Sequence, residues 1–267
     1  KKISTYYCVD PIFFIKKIKV FLYKKEENDL AQQHIDSNIP SSIILTEEQK
    51  DIVNSINSKI TDSIYFPAIL HGVTGSGKTE VYKELIYNTF LENKTSLILL
   101  PEVSLAIQFT QIFKKYFQTK IPVFGFHSAS SIKEKKLLWQ YLIQSKVCII
   151  IGVHLPIFLP ISNLGLIIID EEHEIGFQEK KHPRINTKEA ALMRAKIYNI
   201  PIILGSATPS LQSLYNIKHR NWYLFELKNR FSGQFPKILL VKLNQKNNRK
   251  NFWISQELHQ AINETLE

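Results

Sequence analysis

The stretch Ala68-Ile69-Leu70-His71-Gly72-Val73-Thr74-Gly75-Ser76-Gly77-Lys78-Thr79-Glu80 decides the architecture of this 267-residue chain. Gly72 to Thr79 match G-x-x-x-x-G-K-[ST] at every fixed position, between an apolar run and a helix-forming segment at 80–90. In a strand–loop–helix setting the glycines let backbone N–H groups curl around an anion, and the helix N-terminus adds its dipole. Gly72, Val73, Thr74, Gly75, Ser76, Gly77, Lys78 and Thr79 are therefore the candidate cradle for nucleotide phosphates. Lys78 is expected to reach the β- and γ-phosphates, and the Thr79 hydroxyl to bind Mg²⁺.

Outward from this loop, one pattern repeats as far as Thr208: a short apolar run, a polar turn, an amphipathic stretch. The runs at 68–70, 96–100, 121–126, 147–153, 165–169 and 200–204 are rich in Ile, Val and Leu and do not alternate with polar residues. That is the signature of parallel strands buried on both faces. Between them, 104–117 places Leu105, Phe109, Ile112, Phe113 and Tyr116 at helical spacing, and 187–199 stops before the helix breaker Pro201. The fold class is α/β, a mostly parallel sheet with helices on both faces. Its ligand site is expected at the strand C-termini.

Two further strand ends carry chemistry. Gly165-Leu-Ile-Ile-Ile-Asp170-Glu171-Glu172-His173 ends an apolar strand in carboxylates. Asp170 is expected beside the phosphate loop as a Mg²⁺ holder, and Glu171 as the group that orients or deprotonates an attacking water. A strand followed by an acidic helix cap is the plainer reading. His173 either couples the nucleotide site to neighbouring segments or packs in place. At Ile202-Ile-Leu-Gly205-Ser206-Ala207-Thr208-Pro209, Ser206 and Thr208 are placed to hydrogen-bond the acidic box and relay the state of a γ-phosphate.

Composition narrows the setting. Hydrophobic residues make up 44% and charged residues 22%, which excludes a disordered or collagen-like chain. No apolar run approaches the roughly 20 residues of a membrane span. With Cys8 and Cys148 alone, there is neither a disulfide framework nor a four-cysteine zinc site. A cytoplasmic protein without membrane partners is expected. The only methionine is Met193 and the chain begins at Lys1, so it reads as part of a longer product. Net charge is +10, and 216–250 holds nine Lys or Arg against Glu226 alone. That stretch is either a nucleic-acid contact through counterion release or a solvated basic surface.

The order phosphate loop, Asp-Glu-x-His, Ser-Ala-Thr resembles superfamily 2 helicases and translocases. Gly-Val-Thr-Gly-Ser-Gly-Lys-Thr-Glu80-Val-Tyr82, Leu-Leu-Pro101-Glu102-Val-Ser-Leu105, Asn163-Leu-Gly-Leu-Ile-Ile-Ile-Asp-Glu-Glu-His173 and Gly-Ser-Ala-Thr-Pro-Ser210-Leu narrow this further. They resemble the primosomal protein N′ (PriA) family of replication-restart helicases. Pro183-Arg184 with the helix at 188–195 resembles that family's loop after the acidic box. The resemblance implies a RecA-like P-loop NTPase lobe at 43–215. Before it lies a partial winged-helix-like segment with a linker at 1–42, opened by Tyr6-Tyr7. After it come a basic connector and the start of a second lobe at 216–267.

The same resemblance implies an ATP-dependent 3′→5′ DNA helicase that uses ATP and Mg²⁺, acts on single-stranded and forked DNA, and works with other primosome proteins. Gln49 stands where the family reads adenine. Pro101, Glu102, His127, Ser128 and Arg184 fall in segments that line the DNA path, although Glu102 and His127 read equally as a helix-start carboxylate and a loop histidine. Zinc belongs to the family, but its cysteine clusters are not in this chain. The arginine supplied across the cleft by a second lobe is absent too, so the chain alone is expected to bind ATP·Mg²⁺ and hydrolyse it slowly.

The chain departs from the family pattern in two places. Gly152-Val153-His154-Leu155 stands for Gly-Thr-Arg-Ser, and Ile185-Asn186 stands for an aromatic and a histidine. These departures support an alternative, a non-catalytic DNA-binding remnant. Another superfamily 2 translocase, of branch-migration or transcription-repair coupling type, is the alternative within the class.

Overall fold

The computed structural model describes residues 45–230 apart from Thr119 and 180–183, together with Asp10, Ile12, Phe13, Lys16, Ile238, Leu240, Val241 and 254–266. Tyr6-Tyr7, the linker at 26–42, Pro183 and the basic loop at 244–251 lie outside the described residues. The chain divides into two compact units, Lys1–Phe231 and Ser232–Glu267.

In the first unit, helix α1 (Glu47–Thr61) leads into strand β1 (Phe66–Gly72), then α2 (Lys78–Leu91), β2 (Thr95–Leu99), α3 (Val103–Phe117) and β3 (Val123–Phe126). There follow α4 (Ile132–Ile143), β4 (Ile149–Gly152), a 3₁₀ turn at Leu155–Phe158, β5 (Leu164–Ile169) and a second 3₁₀ turn at Ile175–Phe177. Helix α5 (Thr187–Tyr198), β6 (Pro201–Ser206), α6 (Leu211–His219) and β7 (Tyr223–Leu227) complete it. The strands form one sheet in the order β3-β4-β2-β5-β6-β1-β7. Every pairing is parallel.

All six expected strands are present, and their unbroken apolar sequences are explained by cover on both faces. Ala68, Leu70, Leu166, Ile168 and Ile203 join a core with Ile52 and Ile56 of α1, Val81 and Leu85 of α2, and Phe113 of α3. Ile69, Ile167, Ile169, Ile202 and Leu204 join a second core with Leu138 of α4 and Ala190, Ala191 and Ala195 of α5. Each fully buried Ile or Leu contributes about 1.5–3 kcal/mol. The small alanines of α5 let that helix lie close to the sheet. Its end at Tyr198, capped by Asn199 in the left-handed region, matches the stop expected before Pro201.

The expected lobe boundary at 215 falls inside α6, and β7 beyond it pairs with β1. This edge strand is mostly exposed, held by a Phe66–Tyr223 ring stack at 4.1 Å and by buried Leu227. In the second unit, helix α7 (Gln256–Leu266) opens with Ser255 Oγ accepting from the Leu258 N–H at 3.1 Å. Among the described residues no helix is long and apolar enough to cross a membrane.

Candidate nucleotide site and its surroundings

Because every strand is parallel, all their C-terminal ends lie along one edge of the sheet. There β1 delivers the phosphate loop, β2 Pro101-Glu102, β3 His127, β4 Val153-His154, β5 the acidic box, and β6 Gly205-Ser206.

The phosphate loop is shaped by glycines with different duties. Gly75 and Gly77 have φ of 81° and 88°, a conformation that a side chain would strain. Gly72 lies so close to Ser76 that a Cβ there would run into its hydroxyl. Lys78 opens α2 and is buried, its ammonium donating to the Gly72 carbonyl at 2.6 Å. Ser76 Oγ is also buried and has no hydrogen-bond partner among the described residues. A donor left unmatched in a glycine cradle, with a lysine at a helix N-terminus, fits a polyphosphate.

Gln49 sits directly over the loop. The side chain of Thr46 accepts from Gln49 N–H, and Gln49 Oε1 accepts from Thr46 N–H at 3.0 Å, a reciprocal cap on α1. Its Nε2 donates to the Ser76 carbonyl at 3.4 Å, so the residue expected to read adenine also ties α1 to the phosphate loop. The Thr-x-x-Gln spacing signals that cap in the sequence itself. Alongside lies a cleft of ≈ 340 Å³ lined by Thr46, Glu47, Glu48, Ser76, Asn229 and Arg230.

The acidic box is not on the strand next to the loop. Strand β6 separates β5 from β1, so the expected adjacency of Asp170 and Lys78 is bridged rather than direct. Tyr82, buried in α2, donates its hydroxyl to Asp170 Oδ1 at 2.8 Å. Beneath this bond lies Gly205, where a Cβ would collide with the Tyr82 hydroxyl and press on Asp170 Oδ1. Burial pushes the Asp170 carboxyl up to about 6; the Tyr82 hydrogen bond, the Lys78 charge and a hydrogen bond from the Glu171 backbone pull it down, and the Glu171 charge pushes it up. Lys78 and Asp170 are thus within electrostatic reach. The same burial, reinforced by Asp170 and Glu171, raises the Tyr82 phenol well above 10.0 and keeps it a donor.

The remaining letters of the box have distinct surroundings. Glu171 adopts φ 51°, uncommon for a residue other than glycine, and its carboxylate is 3.6 Å from His173 Nδ1. His173 Nδ1 also lies 2.9 Å from Ser206 Oγ, which accepts from the Thr208 N–H at 3.0 Å. The expected link between the box and the hydroxyl turn is therefore made through Ser206, while Thr208 is exposed and contributes its backbone. His71, at the end of β1, places Nε2 3.2 Å from the Ala207 carbonyl and so joins the loop to the same turn.

Glu172 was assigned no role in the sequence, yet it is the most heavily bonded side chain of the box. Its carboxylate accepts from Lys188 Nζ at 2.8 Å, Ser210 N–H at 2.7 Å, Ser210 Oγ at 3.0 Å and Ser213 Oγ at 2.9 Å. This cluster locks the acidic box to α5 and α6.

The residues expected on a DNA path are spread along the sheet edge. Glu102 is exposed at the start of α3 and accepts from Ser104 Oγ at 2.6 Å. His127 is partly buried, and burial lowers its pKa from 6.5. Arg184 is exposed before α5, its carbonyl bonded by Gln178 Nε2 at 2.8 Å. The two departures from the family pattern have structural duties. His154 Nδ1 is 2.7 Å from Thr187 Oγ1, Ile185 is fully buried, and Asn186 caps α5 by accepting from Glu189 N–H at 3.1 Å. Among the described residues no cluster of three or more His, Cys, Asp or Glu could hold a metal. A cation here would depend on Thr79, Asp170 and the phosphates together.

Comparison with known proteins follows the same lines. The fold is similar to that of RecG bound to a three-way DNA junction, with a TM-score of 0.56 and 22% identity over 74% of this chain and 25% of that one. Replication restart protein PriA of Bacillus subtilis (strain 168) is 36% identical over 224 residues, covering 83% of this chain and 28% of the relative. Its counterpart in Chlamydia trachomatis serovar D is 34% identical over 257 residues, covering 95% and 34% respectively. The chain thus spans about a third of the length of these relatives. Residues 41–217 match the DEAD/DEAH box helicase family across the phosphate loop, the acidic box and the hydroxyl turn, and the chain belongs to that family.

Proposed function

We propose that this chain is the nucleotide-binding lobe of an ATP-driven 3′→5′ DNA helicase acting in replication restart. The observation that carries the reading is the pairing of the glycine cradle and Lys78 with a buried Asp170 across β6. In it, the loop amides and Lys78 hold the β- and γ-phosphates, and Thr79 and Asp170 hold Mg²⁺. Bound there, Mg²⁺ would offset the charge that develops on the phosphates. Glu171 orients and deprotonates the attacking water. His173 and Ser206 sense the γ-phosphate end and pass its state to the hydroxyl turn. Adenine enters the cleft beside Gln49.

Glu102, His127 and Arg184 contact a single strand through its backbone, which needs no sequence preference. The similarity to replication restart proteins supports single-stranded and forked DNA, with other primosome proteins, as partners in the cytoplasm. Residues 216–267 are read as a basic connector and the start of a second lobe. His154 and Asn186, which depart from the family pattern, bond to and cap α5, so they hold the fold whether the chain acts as an enzyme or, in the second reading, as a non-catalytic DNA-binding remnant.

The test is titration of a fluorescent ATP analogue with Mg²⁺, alongside anisotropy with labelled forked DNA. Saturable nucleotide binding that Lys78→Ala abolishes is expected, and binding untouched by Lys78→Ala would refute the reading.

A further inference from the structure

We propose that Tyr82 is a positioning residue for the metal-holding carboxylate: its hydroxyl takes Oδ1 of Asp170 and leaves the other oxygen turned to the cation. The inference rests on the reading of Asp170 given above, and it assigns a part to a residue that the phosphate-loop motif does not include.

Three observations carry it. Tyr82 lies four residues after Lys78, so both side chains occupy the same face of α2, one turn apart. The helix that begins at the phosphate cradle therefore also reaches the acid that faces it. Second, the phenol is fully buried, and its 2.8 Å bond to Asp170 Oδ1 is a charge-assisted one at the base of the site. Third, β6 stands between the two functional strands, and at Gly205 it has no side chain. Any Cβ there would occupy the space in which the phenol and the carboxylate meet.

A carboxylate in an apolar core has two oxygens and needs a reason to present one of them. The Asp170 N–H donates to the Leu99 carbonyl at 3.1 Å, which fixes the backbone, and the carboxyl also takes a hydrogen bond from the Glu171 backbone. Tyr82 settles which oxygen is turned toward α2. It is also a stronger influence on this buried anion than the hydrogen bond from the Glu171 backbone. Hydrogen-bond partners of ligating carboxylates commonly govern metal affinity by about 10–100-fold.

The experiment compares Tyr82→Phe, Asp170→Asn and the unsubstituted chain. A fluorescent ATP analogue is titrated once in EDTA and once at increasing Mg²⁺. For Tyr82→Phe the Mg²⁺ concentration giving half-maximal enhancement of binding should rise by about 10-fold, with the affinity in EDTA unchanged. A side chain that served packing alone would lower both affinities together, and that result overturns the proposal. Unchanged Mg²⁺ dependence in Tyr82→Phe alongside a loss in Asp170→Asn also overturns it. Unchanged Mg²⁺ dependence in Asp170→Asn itself would instead sink the underlying reading of the acid.

Should Tyr82→Phe fail to fold, 3-fluorotyrosine at position 82 replaces it. The ¹⁹F resonance should move when Mg²⁺ is added to the nucleotide complex and stay still in Asp170→Asn. A resonance indifferent to Mg²⁺ in the otherwise unsubstituted chain refutes the proposal.

Discussion

Removing the carboxylate of Glu172 should cost more stability than any exposed charge in this chain. The Glu172 side chain is 0% exposed and that of Lys188 10%, with 2.8 Å between their charged atoms. Glu172→Ala leaves the Lys188 ammonium without its counter-charge, and strips an acceptor from Ser210 N–H, Ser210 Oγ and Ser213 Oγ. Breaking a buried pair from one side costs about 3–5 kcal/mol, a large share of the 5–15 kcal/mol that separates folded from unfolded domains. The exposed Lys50–Glu47 pair, also at 2.8 Å, provides the control; Glu47→Ala should cost at most about 1 kcal/mol. Urea unfolding followed by circular dichroism separates the two, because with a slope of about 1–3 kcal/mol per molar the midpoint should fall by a molar or more.

A double substitution, Glu172→Gln with Lys188→Met, should cost clearly less than the sum of the single ones, since it leaves no buried charge uncompensated. The pH dependence has a definite sign. Burial pushes the Glu172 carboxyl up, but Lys188, Ser210 N–H and Ser213 outweigh it, so the folded pKa lies below 4.5. A depressed carboxylate stabilises the fold above its unfolded pKa and loses that contribution as pH falls through the folded value. The gap between the unsubstituted chain and Glu172→Ala should therefore be full at pH 7 and shrink below about pH 4. A loss no larger than that of Glu47→Ala, or a gap independent of acid, would refute the assignment of this cluster as the clasp between acidic box, α5 and α6.

Asp170 should behave in the opposite sense: its folded pKa of about 6 lies above the ordinary 3.8, so ionisation destabilises the fold as pH rises through that interval. Asp170→Asn should thus gain about 3 kcal/mol at pH 8 in urea unfolding, with the gain vanishing below pH 4, while Mg²⁺-dependent nucleotide binding is lost. Lys78→Ala should abolish nucleotide binding by titration, and Glu171→Gln should retain it while removing the residual hydrolysis seen by phosphate release. Gly205→Ala should cost about 1–3 kcal/mol by overpacking, and less when combined with Tyr82→Phe, as thermal unfolding of the double variant would report.

What could be read from the sequence follows a physical division. Strands buried on both faces announce themselves, because no position in 165–169 can be polar when α-helices cover each side. The edge strand β7 shows less sharply in the sequence, because Tyr223-Leu-Phe-Glu-Leu227 faces solvent over most of its length and includes a charge. Local motifs were legible for the same reason as the strands: the glycines of 72–77 answer to backbone geometry, which sequence encodes directly. Contacts between elements distant in the chain were not. Nothing in Asp-Glu-Glu-His distinguishes the carboxylate that meets Lys188 from the one that faces the site; the turn at Glu171, with its positive φ, makes that division. Val153-His154 and Ile185-Asn186 likewise read as losses against a family pattern, but their positions around α5 give them bonds and burial of their own.

The order of motifs along the chain and their order in space differ, and that difference explains a composition. The phosphate loop on β1 and the acid on β5 are the first and second elements in sequence, yet the third, on β6, lies between them in the sheet. Whatever side chains β6 presents at its end must fit between the strand end that carries Lys78 and the one that carries Asp170. Gly205 leaves room for Tyr82 to meet Asp170, and Ser206, fully buried, brings a hydroxyl to His173. A larger residue at Gly205 would enter the space where the Tyr82 hydroxyl meets Asp170. At Gly205, then, smallness is what lets the helix that follows the phosphate loop reach the acid of β5 across the strand between them.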